Sequence, residues 1–114
     1  MTYAPIPREV IIYKIDSNNR RPFNEWFNEL RDSKGRRRVI GSVRKMEQGV
    51  YEHCRMIREG VRELKIVYGP GYRVYFGEHG NKIVVLLGGD KGSQERDIQK
   101  AIDYWRDYKF RENL

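Results

Sequence analysis

The chain has a single cysteine, Cys54, among its 114 residues. No internal disulfide can form, so a reducing cytosol is the default compartment. Histidine is nearly as scarce. His53 lies in an expected loop and His79 in an expected hairpin tip, too far apart in the chain to imply a catalytic pair. Without a Cys/His ligand set a structural zinc site is not expected, and neither is any other metal or cofactor. No apolar run is long enough to span a bilayer and no secretory signal opens the chain; the expectation is a cytoplasmic protein with no membrane partner. Repeats, low-complexity tracts and internal linkers are missing as well. Residues 1–114 therefore read as one domain with one modest core.

Positive charge is abundant. Lys and Arg total 23 against 16 Asp and Glu, a formal net charge of +7 with a pI near 9.7. A small basic domain of this kind has polyanions as its natural partners, nucleic acid first, although many basic domains only carry a solvated cationic face.

Hydrophobic spacing predicts the elements. Val10, Ile12, Tyr13 and Ile15 make a first strand, ended by Asp16-Ser17-Asn18-Asn19. Pro22 opens a helix, where proline sacrifices no hydrogen bond, and Phe23, Trp26, Phe27 and Leu30 recur on one helical face. A second helix follows Gly35, with Val39, Ile40, Val43 and Met46 inward and Arg36, Arg37, Arg38, Arg44 and Lys45 outward. Gly49 ends it, and residues 51–60 read as an irregular connection. Three strands follow, over residues 61–68, 72–77 and 82–87. A last helix starts near Ser93, a candidate N-cap, with Ile98, Ala101, Ile102, Trp105 and Tyr108 as its buried stripe. The expected fold is α+β in the order β-α-α-β-β-β-α, an antiparallel sheet packed against helices.

Gly69-Pro70-Gly71 is strong turn chemistry. A two-residue loop would split the flanking apolar residues between the two faces of the sheet. A three-residue loop keeps them together, pairing Ile66 with Val74 and Leu64 with Phe76. In that register Lys65 lies opposite Tyr75 and Arg73 opposite Val67, so the two cations are diagonal neighbours on the more polar face. The next hairpin, tipped by Glu78-His79-Gly80-Asn81, pairs Tyr72 with Leu87 and ends the last strand beside the start of its neighbour. Beyond it, "GGDKGSQERDI" places Lys91 at a helix start, where free backbone N–H groups attract anions. Lys65, Arg73 and Lys91 are thus expected to converge at one end of the sheet. The glycine and lysine spacing of a Walker loop is absent. A lone strand cation is often merely solvated or paired, and Glu63 is placed to neutralise Lys65. The arginine run of the second helix suits a solvated face or an RNA backbone equally. Trp26, Phe27 and Trp105 read as core.

The stretches "GVRELKIVYGPGYRVYF" and "VVLLGGDKGSQERDIQKAIDYW" together resemble the RelE/ParE toxin superfamily, in particular the phage-type addiction module killer proteins related to HigB. The likeness runs over most of the chain. It implies a toxin of a type II toxin–antitoxin pair, a RelE-like fold, and a partner antitoxin, helix-turn-helix in type, encoded by an adjacent gene. Many members are ribosome-dependent endonucleases that cut mRNA, whereas the ParE side inhibits DNA gyrase. Residue by residue, the resemblance puts the arginine of the "YR" strand at Arg73, the preceding-strand basic residue at Lys65, and the basic residue after the last strand at Lys91. Arg62, also on the preceding strand, has core-facing parity. The tyrosine that some nucleases of the superfamily carry in the last helix has no counterpart; Asp97 lies near that position, and Tyr75 is the candidate substitute.

The chemistry such a site performs needs no metal. A ribose 2′-hydroxyl attacks the adjacent phosphate, and cations placed at the developing negative charge lower the barrier, each donor being worth about 2.7–4 kcal/mol. Arg73 is expected to hold the phosphate and Lys65 to act as base or electrostatic partner, since lysines crowded by other cations have lowered pKa values. Lys91 then serves the leaving oxygen or a neighbouring phosphate. Arg36, Arg37 and Arg38, with Arg62 and Tyr75, are candidate RNA contacts. Two other functions compete: a ParE-like toxin that binds gyrase without cutting RNA, and an RNA-binding module that has lost toxicity.

Overall fold

Strand β1 (Glu9–Ile12) leads through a turn to α1 (Pro22–Glu29) and α2 (Ser33–Glu47), followed by β2 (Cys54–Arg58), β3 (Val61–Lys65), β4 (Arg73–His79), β5 (Lys82–Gly89), a 3₁₀ turn (Lys91–Ser93) and α3 (Gln94–Arg111). The structure, a computed structural model, describes residues 4–114. The α+β class stands, with two corrections to the expected order and sheet. Residues 51–60 contain an edge strand, β2, antiparallel to β3; and β1 runs parallel to β5, so the five-stranded sheet, ordered β1-β5-β4-β3-β2, is mixed. An edge strand has one neighbour and needs little apolar surface. Arg55, Met56 and Arg58 are exposed, which is why hydrophobic spacing does not reveal β2.

Both faces of the sheet are covered. Phe23, Val39 and Met46 from α1 and α2 bury Leu64, Ile66, Val74, Phe76, Ile83 and Val85 on one side. On the other, Ile98, Ala101, Ile102 and Trp105 of α3 bury Val61, Tyr75, Val84, Leu86 and Leu87. Consecutive Leu86 and Leu87 face the same side because the β4–β5 register shifts there: Phe76 pairs with Val85 and Tyr75 with Leu87. The β4–β5 loop is two residues, Gly80-Asn81, with His79 opposite Lys82, rather than the longer tip expected.

The loop before β4 is also not the one expected. Leu64 pairs with Val74 and Lys65 with Arg73, and Ile66 N–H donates to the Tyr72 carbonyl at 2.8 Å, leaving a five-residue loop over 67–71. The expected three-residue register is thus displaced by one residue on each strand. That displacement conserves parity, so Ile66 still shares a face with Val74, and Lys65 with Arg73. Asp32 ties the loop down. It caps α2 by accepting from Gly35 N–H (2.9 Å), and it also accepts from the hydroxyls of Tyr68 (3.2 Å) and Tyr72 (3.1 Å). Those hydrogen bonds hold its carboxyl below the usual range, the Gly35 N–H contributing most. Gly35 fits inside α2 because the Tyr72 ring lies where a Cβ would go, 2.7 Å from that position.

Candidate functional site

Pairing places a row of residues across three neighbouring strands. Lys65 of β3 is directly opposite Arg73 of β4, and Arg73 is directly opposite Gly89 at the end of β5. On the other side of Lys65, its N–H donates to the His53 carbonyl at 3.0 Å, which sets His53 beside it. His53 holds a left-handed conformation, φ 59°, unusual for a residue with a side chain. The adjoining row on the same face is Arg55, Glu63, Tyr75 and Leu87. Since α3 begins at Gln94, whose side-chain amide donates to Glu63 at 2.9 Å, it covers Glu63, Tyr75 and Leu87 of this second row, while Arg55 at its edge and Lys65 in the first row stay exposed.

Lys65, Arg73 and Lys91 line one cavity of about 290 Å³ together with the 66–71 segment. A second cavity, about 400 Å³, opens on the other side and is lined by His53, Cys54, Arg55, Glu63, Lys65 and Arg73. Lys65 and Arg73 border both. A third, of about 160 Å³, joins Lys65 and His53 to Arg38 and Lys45 of α2. Arg38 lies over the Tyr68 ring at 5.5 Å, so one arginine of the α2 run reaches the site. Arg36 lies instead over Phe27 at 5.4 Å, and Arg37 is simply exposed.

Three charged residues are buried among those described: Glu63 (2% exposed), Arg73 (6%) and Asp97 (7%). They cluster at this end of the sheet. Glu63 approaches Arg73 Nε with Oε2 (3.5 Å) and accepts from Arg55 Nε with Oε1 (3.0 Å). Arg73 also donates through Nη1 to the Gly71 carbonyl at 2.6 Å. Glu63 thus neutralises Arg73 and Arg55 rather than Lys65. Burying a carboxylate is costly unless it is paired and hydrogen-bonded, and here two guanidiniums and an amide surround it.

Two expected contacts are displaced. Tyr75 is fully buried under α3, its hydroxyl without a partner, and burial raises its pKa above the ordinary tyrosine value, with Glu63 and Asp97 adding to the effect. It is not at the surface to meet RNA or exchange a proton. Arg62 pairs with Phe76 on the α1–α2 side of β3, away from the row. Ser93 stands at the start of α3, but the capping is done by Asp90, which accepts from Gly92 N–H (2.9 Å) and Ser93 N–H (3.3 Å). The Ser93 hydroxyl turns to Asp97. Asp97 faces a larger cleft of about 730 Å³ between α1 and α3. Arg20, Arg96 and Lys100 there meet Glu25, Glu29, Asp90 and Asp97, a mixed lining without the cationic bias of the row.

Residue spacing did not single out Arg55 or the clamp at Glu63. Arg55 sits on an edge strand, Cys54–Arg58, that hydrophobicity does not mark, so no sequence signal pointed to it.

Fold and site together define an α+β protein with a cationic row at one end of a mixed sheet. No family model matches the chain. Over 80 residues, 69% of this chain and 81% of the other, it is 30% identical to an uncharacterized protein of Haemophilus influenzae, and it belongs to the family of that protein.

Proposed function

We propose that the protein is the toxin of a type II toxin–antitoxin pair and acts as a ribosome-dependent mRNA endonuclease. The observation that carries this reading is the direct pairing of Lys65 with Arg73, with Lys91 on the wall of the same cavity. The resemblance of the two motifs to the RelE/ParE superfamily supports it. In this reading Arg73 holds the scissile phosphate. The 2′-oxygen bonds to phosphorus, the bond to the 5′-oxygen breaks, and a 2′,3′-cyclic phosphate results. The 2′-hydroxyl proton passes to Lys65, or to water while Lys65 stabilises the developing charge, and the departing 5′-oxygen takes up a proton from Lys91.

Lys65 is exposed and Arg73 is not, so Lys65→Ala is the cleaner test. Induced expression should arrest translation and create new mRNA 5′ ends only on ribosome-bound message. Lys65→Ala and Lys91→Ala should each slow cleavage by about 10²–10³-fold, the loss typical of one preorganised donor. Arg73→Lys should recover little, because lysine lacks the planar fork. Growth arrest with no new mRNA ends and inhibited gyrase would transfer the reading to a binding toxin.

A further inference from the structure

We propose that Arg55 of β2 binds a second phosphate, next along the strand from the one at Arg73, so that the site takes two consecutive phosphodiesters of a single-stranded nucleic acid. This rests on the nucleic-acid reading of the row and extends it to a strand with no assigned role. Glu63 meets both arginines through their Nε atoms: Arg55 at 3.0 Å on Oε1 and Arg73 at 3.5 Å on Oε2. One carboxylate therefore pairs with two guanidiniums: it is hydrogen-bonded to Arg55 Nε and in ion-pair range of Arg73 Nε, whose own hydrogen bond runs from Nη1 to the Gly71 carbonyl, and the outer nitrogens of Arg55 are left for a ligand. The Arg55 side chain is 62% exposed although its Nε is held, so the free end faces solvent. Both arginines line the 400 Å³ cavity, and Arg73 also lines the Lys91 cavity. A phosphate at Arg73 therefore has Lys91 on one side and Arg55 on the other. β2 and β4 are two strand spacings apart, roughly 10 Å, and the shared carboxylate draws the two guanidinium groups closer than that. A guanidinium pre-oriented at Nε loses little freedom on meeting a phosphate, and its fork matches two phosphate oxygens.

The test is an NMR titration of the full chain with deoxyoligonucleotides carrying one, two or three phosphodiesters, over a range of salt; without a 2′-hydroxyl they bind but are not cut. Wild-type affinity should rise from one to two phosphodiesters, and the slope of log affinity against log salt should steepen by about 0.7, the value of one single-strand phosphate contact. Arg55→Ala should abolish that rise while binding the one-phosphate ligand normally. Arg55→Lys should keep the steeper slope with a smaller gain in affinity. Lys100→Ala, on the separate α1–α3 cleft, should behave as wild type. An Arg55→Ala protein that keeps the rise, or a wild type that shows none, overturns the second phosphate. If the wild type also cuts mRNA, the endonuclease reading stands. A wild type that gains from the second phosphate but cuts no mRNA rejects only that reading.

Discussion

Asp97 is a carboxylate placed at a cost. Burial raises its pKa, against the lowering effects of the Ser93 hydroxyl, Arg96 and Lys100. A raised folded-state value means that its protonated form favours folding: the contribution is fully present below the unfolded value of about 3.9 and is lost as pH rises through the folded value. Asp97→Asn keeps the acceptor for Ser93 without the charge. It should be more stable than wild type in neutral-pH denaturant titrations, with the difference vanishing in acid; a less stable variant at pH 7 would contradict this. Arg73 is the opposite case. Removing it leaves Glu63 buried with fewer partners, and Arg73→Ala should lose about 3 kcal/mol of stability, at the low end for a broken buried pair because Arg55 and Gln94 remain. Loss of activity in that variant therefore has to be read beside its circular dichroism, and a variant as stable as wild type would show that the pair contributes little.

Among the elements, the 67–71 loop owes its shape to α2. Asp32 binds Gly35 N–H, Tyr68 and Tyr72 together. Asp32→Ala should uncap α2 and free the loop at once, seen as faster hydrogen exchange at Gly71 N–H and a lower Tm. Exchange that speeds only at the α2 N-terminus would show the tyrosine bonds to be unimportant. The lowered Asp32 pKa makes its contribution one that is present above the unfolded value and lost as pH falls, the reverse of Asp97. The loop carries Pro70 and Gly71 into the Lys91 cavity, so its order and that of the cationic row are expected to change together.

At the scale of the molecule, charge bears on the partner that the proposed toxin reading requires. A net charge of +7, with Lys65, Arg38, Lys45 and Arg55 around adjoining cavities, favours an acidic or amphipathic partner segment over this face. If the chain is a toxin, the product of an adjacent gene should co-purify with it and restore growth; equal toxicity with and without every neighbouring gene would count against the pairing. Among the described residues no helix is long and apolar enough to cross a membrane.

Alternation along each strand is a local property, so sequence alone determined that Lys65 and Arg73 share one face and that Ile66 and Val74 share the other. The apolar stripes of α1, α2 and α3 were legible for the same reason, as was the gathering of Lys65, Arg73 and Lys91 at one end of the sheet. Which residue lies opposite which was decided only in three dimensions. Asp32 reaches the tyrosines of a distant loop, and that tie accompanies the five-residue connection that brings Lys65 directly across from Arg73. β2 depends on β3 for every ladder hydrogen bond and buries little of itself, so nothing local announced it, and Arg55 stayed hidden with it. The partners of Glu63 come from β2, β4 and α3, and their convergence on one carboxylate is a consequence of packing that no spacing along the chain encodes.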